Sequence, residues 1–81
     1  MKIIIIGPVA SGKTTLLHKI IRMNENNYFS FILDGVEQLG VAGGVQLPNL
    51  DNMIITAQNI ENIPAYVRNG SLILNVQEIR R

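Results

Sequence analysis

Four consecutive isoleucines, Ile3 to Ile6, constrain the fold of this chain more than any other feature. The side chains are β-branched, and the apolar run from Lys2 to Ile6 ends abruptly at Gly7 and Pro8. Such a run is typical of a strand that is buried on both faces of a parallel sheet. A strand of this kind is covered by helices or loops on both sides, so the sequence predicts an α/β fold.

The periodicity that follows predicts one amphipathic helix. From Lys13 to Met23, apolar side chains recur along one side of a helix, and the polar run at 24–27 ends it. Three later apolar segments have the length of strands: Tyr28 to Leu33, Met53 to Thr56 and Ser71 to Val76. These segments alternate with helical or loop crossovers, which favours a parallel arrangement.

Only short helices are expected between the later strands. Residues 35–52 are rich in glycine, and residues 59–68 can form a short helix with Pro64 in or near its first turn. We therefore expect one domain over residues 1–81, folded as a three-layer sandwich around a small, mostly parallel four-stranded sheet.

The composition excludes several classes of protein. The chain has 81 residues, 47% of them apolar and 16% charged, which argues against disorder. Seven basic and six acidic side chains give a net charge of +1, too little to draw the protein onto DNA or an anionic bilayer. It has no cysteine, and its apolar runs fall far short of the roughly 20 residues that span a membrane. We expect a cytoplasmic protein without membrane insertion.

Residues 7–14, GPVASGKT, fit the pattern GxxxxGK[ST] between the predicted strand and helix. Gly12 lets the loop amides close on a phosphate, and the helix N-terminus adds positive charge. Lys13 would reach the β- and γ-phosphates, and Thr14 would offer its hydroxyl to Mg²⁺. Nucleotide contacts are predicted for Gly7, Pro8, Val9, Ala10, Ser11, Gly12, Lys13, Thr14 and Thr15. The alternative is a glycine turn with a solvated lysine and a threonine helix cap.

A magnesium site of this kind also needs an acidic residue at the end of a strand beside the loop. The segment FSFILD at 29–34 supplies Asp34, so we expect Thr14 and Asp34 to hold the metal. Apolar residues followed by aspartate are common in α/β proteins, and the alternative is an Asp34 that only opens the turn at Gly35.

With GPVASGKT and FSFILDG in place, the chain resembles the P-loop NTPases over most of its length. MIITAQ at 53–58, Ile63-Pro64 and NGSLILNV at 69–76 follow in an order similar to that of the additional-strand group, which includes FtsK, HerA and the coupling ATPases of type IV secretion. The resemblance implies a truncated P-loop NTPase core that lacks one edge strand. The segment at 71–76 would lie beside 2–6, followed by 53–56 and then 28–33.

The resemblance also implies catalytic roles for Lys13, Gln58 and Glu37. Gln58 would sense the γ-phosphate, although one residue separates it from Thr56 where the family has an adjacent pair. The family's catalytic glutamate directly follows the aspartate, but Gly35 stands there, and Glu37 is the candidate for polarising the attacking water. The alternatives are a solvent-facing strand end for Gln58 and an ordinary surface carboxylate for Glu37.

These features favour an ATP-binding protein with Mg²⁺ as cofactor and weak or partner-dependent hydrolase activity. ATP is preferred over GTP because the chain has no Asn-Lys-x-Asp motif. Arg68, Arg80 and Arg81 could act as arginine fingers only towards a neighbouring subunit. The alternative is a non-enzymatic protein that mimics or inhibits a larger motor ATPase. A small-molecule kinase is less favoured, because 81 residues leave no room for a lid and an acceptor site.

Partners are predicted from the segment at 35–52, whose apolar residues, Val36, Leu39, Val41, Val45, Leu47 and Leu50, are interleaved with glycines. Exposed apolar surface of this kind is typical of an interface, which favours a homo-oligomer or a larger ATPase as partner. The alternative is that the segment covers an edge of the sheet. Nucleic-acid binding is implied by the resemblance alone.

Overall fold

The isoleucine strand β1, Lys2–Ile6, is an inner strand of a four-stranded, all-parallel sheet in the computed structural model. The structure describes residues 1–8, 10–24, 28–39 and 47–79. The other strands are β2 (Phe31–Leu33), β3 (Met53–Ala57) and β4 (Ser71–Asn75), and the order across the sheet is β2-β3-β1-β4. Both the predicted α/β class and the expected strand order are confirmed.

The register brings all the carboxyl ends of the strands to one edge of the sheet. Ile6 lies opposite Ala57 of β3 on one side and opposite Asn75 of β4 on the other. On the far side of β3, Leu33 of β2 pairs with Ile55. The residues that follow each strand are therefore neighbours along a single edge, which is where ligands bind in open parallel sheets.

Helices and turns cover both faces of the sheet. The main helix, α1, spans Lys13–Met23 as predicted, and two single-turn helices follow later, α2 (Ala65–Arg68) and α3 (Val76–Ile79). Two short 3₁₀ turns occupy Val36–Leu39 and Ile60–Asn62. Pro64 precedes the first turn of α2, where its missing N–H costs no hydrogen bond.

Alternation along the strands divides the core in two. On one face of the sheet, Ile3 and Ile5 of β1 pack with Leu17 of α1. On the other face, Ile4 and Ile6 pack in a cluster that includes Val67 of α2. The sheet therefore lies between two apolar layers, because successive side chains of a strand point to opposite faces.

Two strand boundaries differ from the prediction. β2 begins at Phe31, not at Tyr28, because Phe31 pairs with Met53, the first residue of β3, so the residues before Phe31 have no strand beside them. β4 ends at Asn75, whose Oδ1 accepts the Gln77 N–H at 3.0 Å and so starts α3 where a strand residue had been expected.

One residue of the predicted apolar side of α1 is exposed. Met23 belongs to the apolar side of the helix by periodicity but is 77% exposed, because it lies in the last turn. In the segment at 35–52, Val36 and Leu47 are buried in the core opposite α1, whereas Leu50 is 39% exposed. Residues 40–46 lie outside the described part, so the predicted partner or oligomer stays a prediction.

No helix of the described residues is long and apolar enough to cross a bilayer.

Leu17 should be essential for the stability of the domain. It is 1% exposed where α1 meets the sheet, so Leu17→Ala should cost about 2–5 kcal/mol of unfolding free energy. The matched control is Met23→Ala in the same helix, which should change stability by less than about 0.5 kcal/mol. Urea unfolding followed by circular dichroism measures both. Equal losses in the two variants would contradict this packing.

Candidate functional site

The loop between β1 and α1 folds back over the carboxyl end of β1. The Gly7 N–H donates to the Ala57 carbonyl at 3.1 Å, which extends the sheet ladder by one residue into the loop. Ala10 and Gly12 both have positive φ, 61° and 96°, so the chain turns sharply before the helix. The first helical hydrogen bond runs from Leu16 N–H to the Gly12 carbonyl at 3.0 Å. The amides of the first helical turn are therefore left for a ligand.

Gly7 lies close to Ser11 of the same loop and to Val76 of α3, which leaves little space for a side chain at this position. A Cβ at this position would lie 2.6 Å from Ser11 Oγ and 3.3 Å from the Val76 Cβ. Ser11 itself is buried, at 9% exposure. A larger residue at position 7 would require Ser11 and Val76 to shift, so the first glycine of the pattern has a steric reason in this fold.

Lys13 holds the loop in its curved shape. Its Nζ donates to the carbonyls of Gly7 at 2.6 Å and Pro8 at 2.8 Å. A half-buried ammonium group is thereby fixed on the loop beside the N-terminus of α1. The two features place positive charge at one point, as an anion site requires.

Asp34 and Thr14 are brought together although they lie far apart in the chain. Thr14 Oγ1 donates to Asp34 Oδ2 at 2.9 Å, joining the first turn of α1 to the end of β2. Both side chains are exposed at the same edge of the sheet. The hydroxyl and the carboxylate predicted to share a metal therefore form one cluster.

Thr56 is a member of this cluster that the sequence analysis did not assign. Its Oγ1 donates to Asp34 Oδ1 at 2.9 Å and accepts the Gly35 N–H at 2.7 Å, and the residue is 0% exposed. The available signal was a lone hydroxyl in the otherwise apolar strand MIITA. The register of the sheet continues from Leu33 and Ile55, so it brings Thr56 opposite Asp34.

Glu37 is engaged in holding a loop. Its Oε2 accepts the backbone N–H of Gln58 at 2.8 Å and also a hydrogen bond from Asn62 Nδ2. The carboxylate therefore joins the 3₁₀ turn after β2 to the segment after β3. Gln58 lies exposed on that segment, in a cleft that also contacts Gly7 and Pro8.

No hydrogen bond of the described residues joins Arg68 or Thr15 to this cluster. Arg68 precedes β4 and so lies at the amino ends of the strands, away from the site. The five residues of β4 span about 17 Å, so Arg68 cannot serve the site of its own chain. Thr15 is exposed on α1. Val9, Arg80 and Arg81 lie outside the described residues.

Comparison of the chain with models of protein families, with curated proteins and with solved structures finds no match. The residues described here form a small α/β domain with a four-stranded parallel sheet.

Thr56→Val should destabilise the protein even though the side chains have similar shapes. Valine leaves the Gly35 N–H and one oxygen of Asp34 without their partner, which should cost about 1–3 kcal/mol. Thr56→Ser keeps the hydroxyl and should lose only about 1 kcal/mol, for one buried methyl group. Urea unfolding of both variants tests this, and a valine variant more stable than the serine variant would contradict it.

Proposed function

We propose that the chain binds Mg-ATP at the carboxyl edge of the sheet and hydrolyses it slowly. The observation that carries this proposal is the 2.9 Å hydrogen bond between Thr14 and Asp34. The glycine-lysine-threonine loop and the aspartate at the end of a strand are independent sequence patterns, separated by 20 residues. Their contact is what a shared nucleotide and metal site requires.

The phosphates would be bound by the loop and the start of α1. Backbone N–H groups at the helix N-terminus offer hydrogen bonds and positive dipole to an anion. The Lys13 ammonium, now on the carbonyls of Gly7 and Pro8, would turn to the phosphate oxygens without leaving the loop. The positive groups of the site would then all act on one anionic ligand.

Magnesium fits the oxygen atoms that the chain provides. Mg²⁺ takes one or two protein oxygens and completes its shell with phosphates and water. Thr14 and Asp34 offer a hydroxyl and a carboxylate within one cluster, and Thr56 fixes the other carboxylate oxygen. When bound, the ion would neutralise charge on the phosphates.

Hydrolysis should be slow because the groups that would orient water are missing or already bonded. Gly35 has no side chain next to Asp34, and the Glu37 carboxylate accepts two hydrogen bonds from Gln58 and Asn62. Binding of the phosphates without an oriented water stabilises the ground state and the transition state alike, so it favours binding without raising the rate of hydrolysis.

Nucleotide should stabilise the fold through Lys13. A ligand that binds only the folded state adds about 2.7 kcal/mol at a hundredfold excess over its Kd, so Mg-ATP or Mg-ADP should raise the melting temperature by several degrees. Differential scanning fluorimetry at millimolar nucleotide measures the shift. It should vanish in Lys13→Ala and persist in Lys19→Ala, an exposed lysine farther along α1. An unchanged melting curve in the unaltered chain would overturn the proposal of nucleotide binding.

Turnover by the isolated chain should stay below about 1 s⁻¹, the lower end of the usual enzyme range. Release of labelled phosphate from ATP measures it, with Lys13→Ala as the background. A faster rate would show that another group orients the water. Glu37→Gln then identifies it: a tenfold loss of turnover would assign Glu37 that role.

A further inference from the structure

A cleft lies beside the loop between β1 and α1, called the phosphate loop below, and it is large enough for a nucleoside. Its volume is about 600 Å³, within the range of small-molecule sites. It is lined by residues at the carboxyl ends of three strands: Ile6, Gly7 and Pro8 at the end of β1, Gln58, Asn59, Ile60 and Glu61 after β3, and Asn75 and Gln77 at the end of β4.

The cleft and the phosphate loop share a wall. Gly7 and Pro8 line the cleft, and their carbonyls are the two that accept hydrogen bonds from Lys13 Nζ, at 2.6 and 2.8 Å. A phosphate that meets the Lys13 ammonium would therefore lie at the rim of the cleft. The remainder of such a ligand can enter the cleft directly.

The chemistry of the lining suits an uncharged, hydrogen-bonding ring and not a second phosphate. Among the described lining residues none is basic, and one, Glu61, is acidic. Four side chains carry carboxamides, which both donate and accept hydrogen bonds: Gln58, Asn59, Asn75 and Gln77. Ile6 and Ile60 add apolar surface against which a ring face could pack.

The strand order shows which end of the cleft is farther from Asp34. Asp34 follows β2 at one side of the sheet, and Asn75 ends β4 at the other, three strand spacings away. At about 4.8 Å for each spacing, this separation is roughly 14 Å. A nucleotide with its metal and terminal phosphate near Asp34 and its phosphates over β1 would extend its base towards β4.

We propose that the end of the cleft beside β4 binds the adenine base, with Asn75 and Gln77 on its hydrogen-bonding edge. Asn75 Oδ1 accepts the Gln77 N–H at 3.0 Å, so the Asn75 amide keeps its Nδ2 donor for a ligand. The Gln77 carboxamide offers the donor and acceptor pair that matches the amino group and ring nitrogen of adenine. This inference rests on the proposed nucleotide binding and names the group that gives it specificity.

The test compares ligands with and without a base. Isothermal titration calorimetry, in the presence of Mg²⁺, measures Kd for ADP, GDP and pyrophosphate on the complete chain. The base should make ADP bind at least tenfold more tightly than pyrophosphate, and more tightly than GDP. Gln77→Ala should weaken ADP at least about fivefold and leave pyrophosphate unchanged, because it removes two neutral hydrogen bonds to the base.

Asn75→Asp is the second variant. Aspartate keeps the oxygen that accepts the Gln77 N–H and so preserves the start of α3, but it removes the Nδ2 donor. It should weaken ADP by a larger factor than pyrophosphate. The matched control is Asn69→Asp, the same change at an exposed asparagine on the opposite edge of the sheet, which should affect the two ligands equally.

The outcomes separate this inference from the proposed function. Pyrophosphate binding that depends on Lys13, with ADP no tighter or with both ligands weakened equally by Gln77→Ala and Asn75→Asp, would overturn the base site and leave phosphate binding standing. Tighter binding of GDP than of ADP would overturn the assignment to adenine. Failure of all three ligands to bind would overturn the nucleotide proposal and this inference with it.

Discussion

One buried hydroxyl organises the carboxyl edge of this sheet. Thr56 Oγ1 donates to Asp34 and accepts the Gly35 N–H, so it fixes both the carboxylate and the backbone that follows it. Thr14 then meets the remaining oxygen of Asp34 from α1. The helix, the edge strand and the inner strand are thus joined through one carboxylate, and the position of each predicted metal ligand depends on that arrangement.

Local patterns were enough to predict the first part of the fold. β1, the loop and α1 follow from a β-branched run, two glycines and an apolar periodicity, all within 23 residues of sequence, and their boundaries agree with the structure. The order of the strands was expected from the family resemblance and is confirmed. The proximity of Thr14 and Asp34 was also expected, because Thr14 belongs to the GxxxxGK[ST] pattern and Asp34 ends an apolar strand segment, the two places from which a shared magnesium ion would be held.

Features that depend on contacts between distant segments could not be predicted in this way. Thr56 acquires its role from the register of β2 on β3, which no single strand encodes. Glu37 has the side chain of a candidate base, but its partners, Gln58 and Asn62, come from a turn more than 20 residues later. β2 is three residues shorter than predicted because β3, its neighbour in the sheet, begins only at Met53, opposite Phe31.

The two parts of the site, the loop after β1 and Asp34 after β2, follow strands that are held in the sheet by different numbers of paired residues. β1 is paired on both sides along all five residues, so the loop that begins at Gly7 continues from the most fully paired of the four described strands. Asp34 follows an edge strand with only three paired residues. Local opening begins where few hydrogen bonds must break, so β2 should open before β1. The acidic half of the site would then detach while the loop keeps its shape.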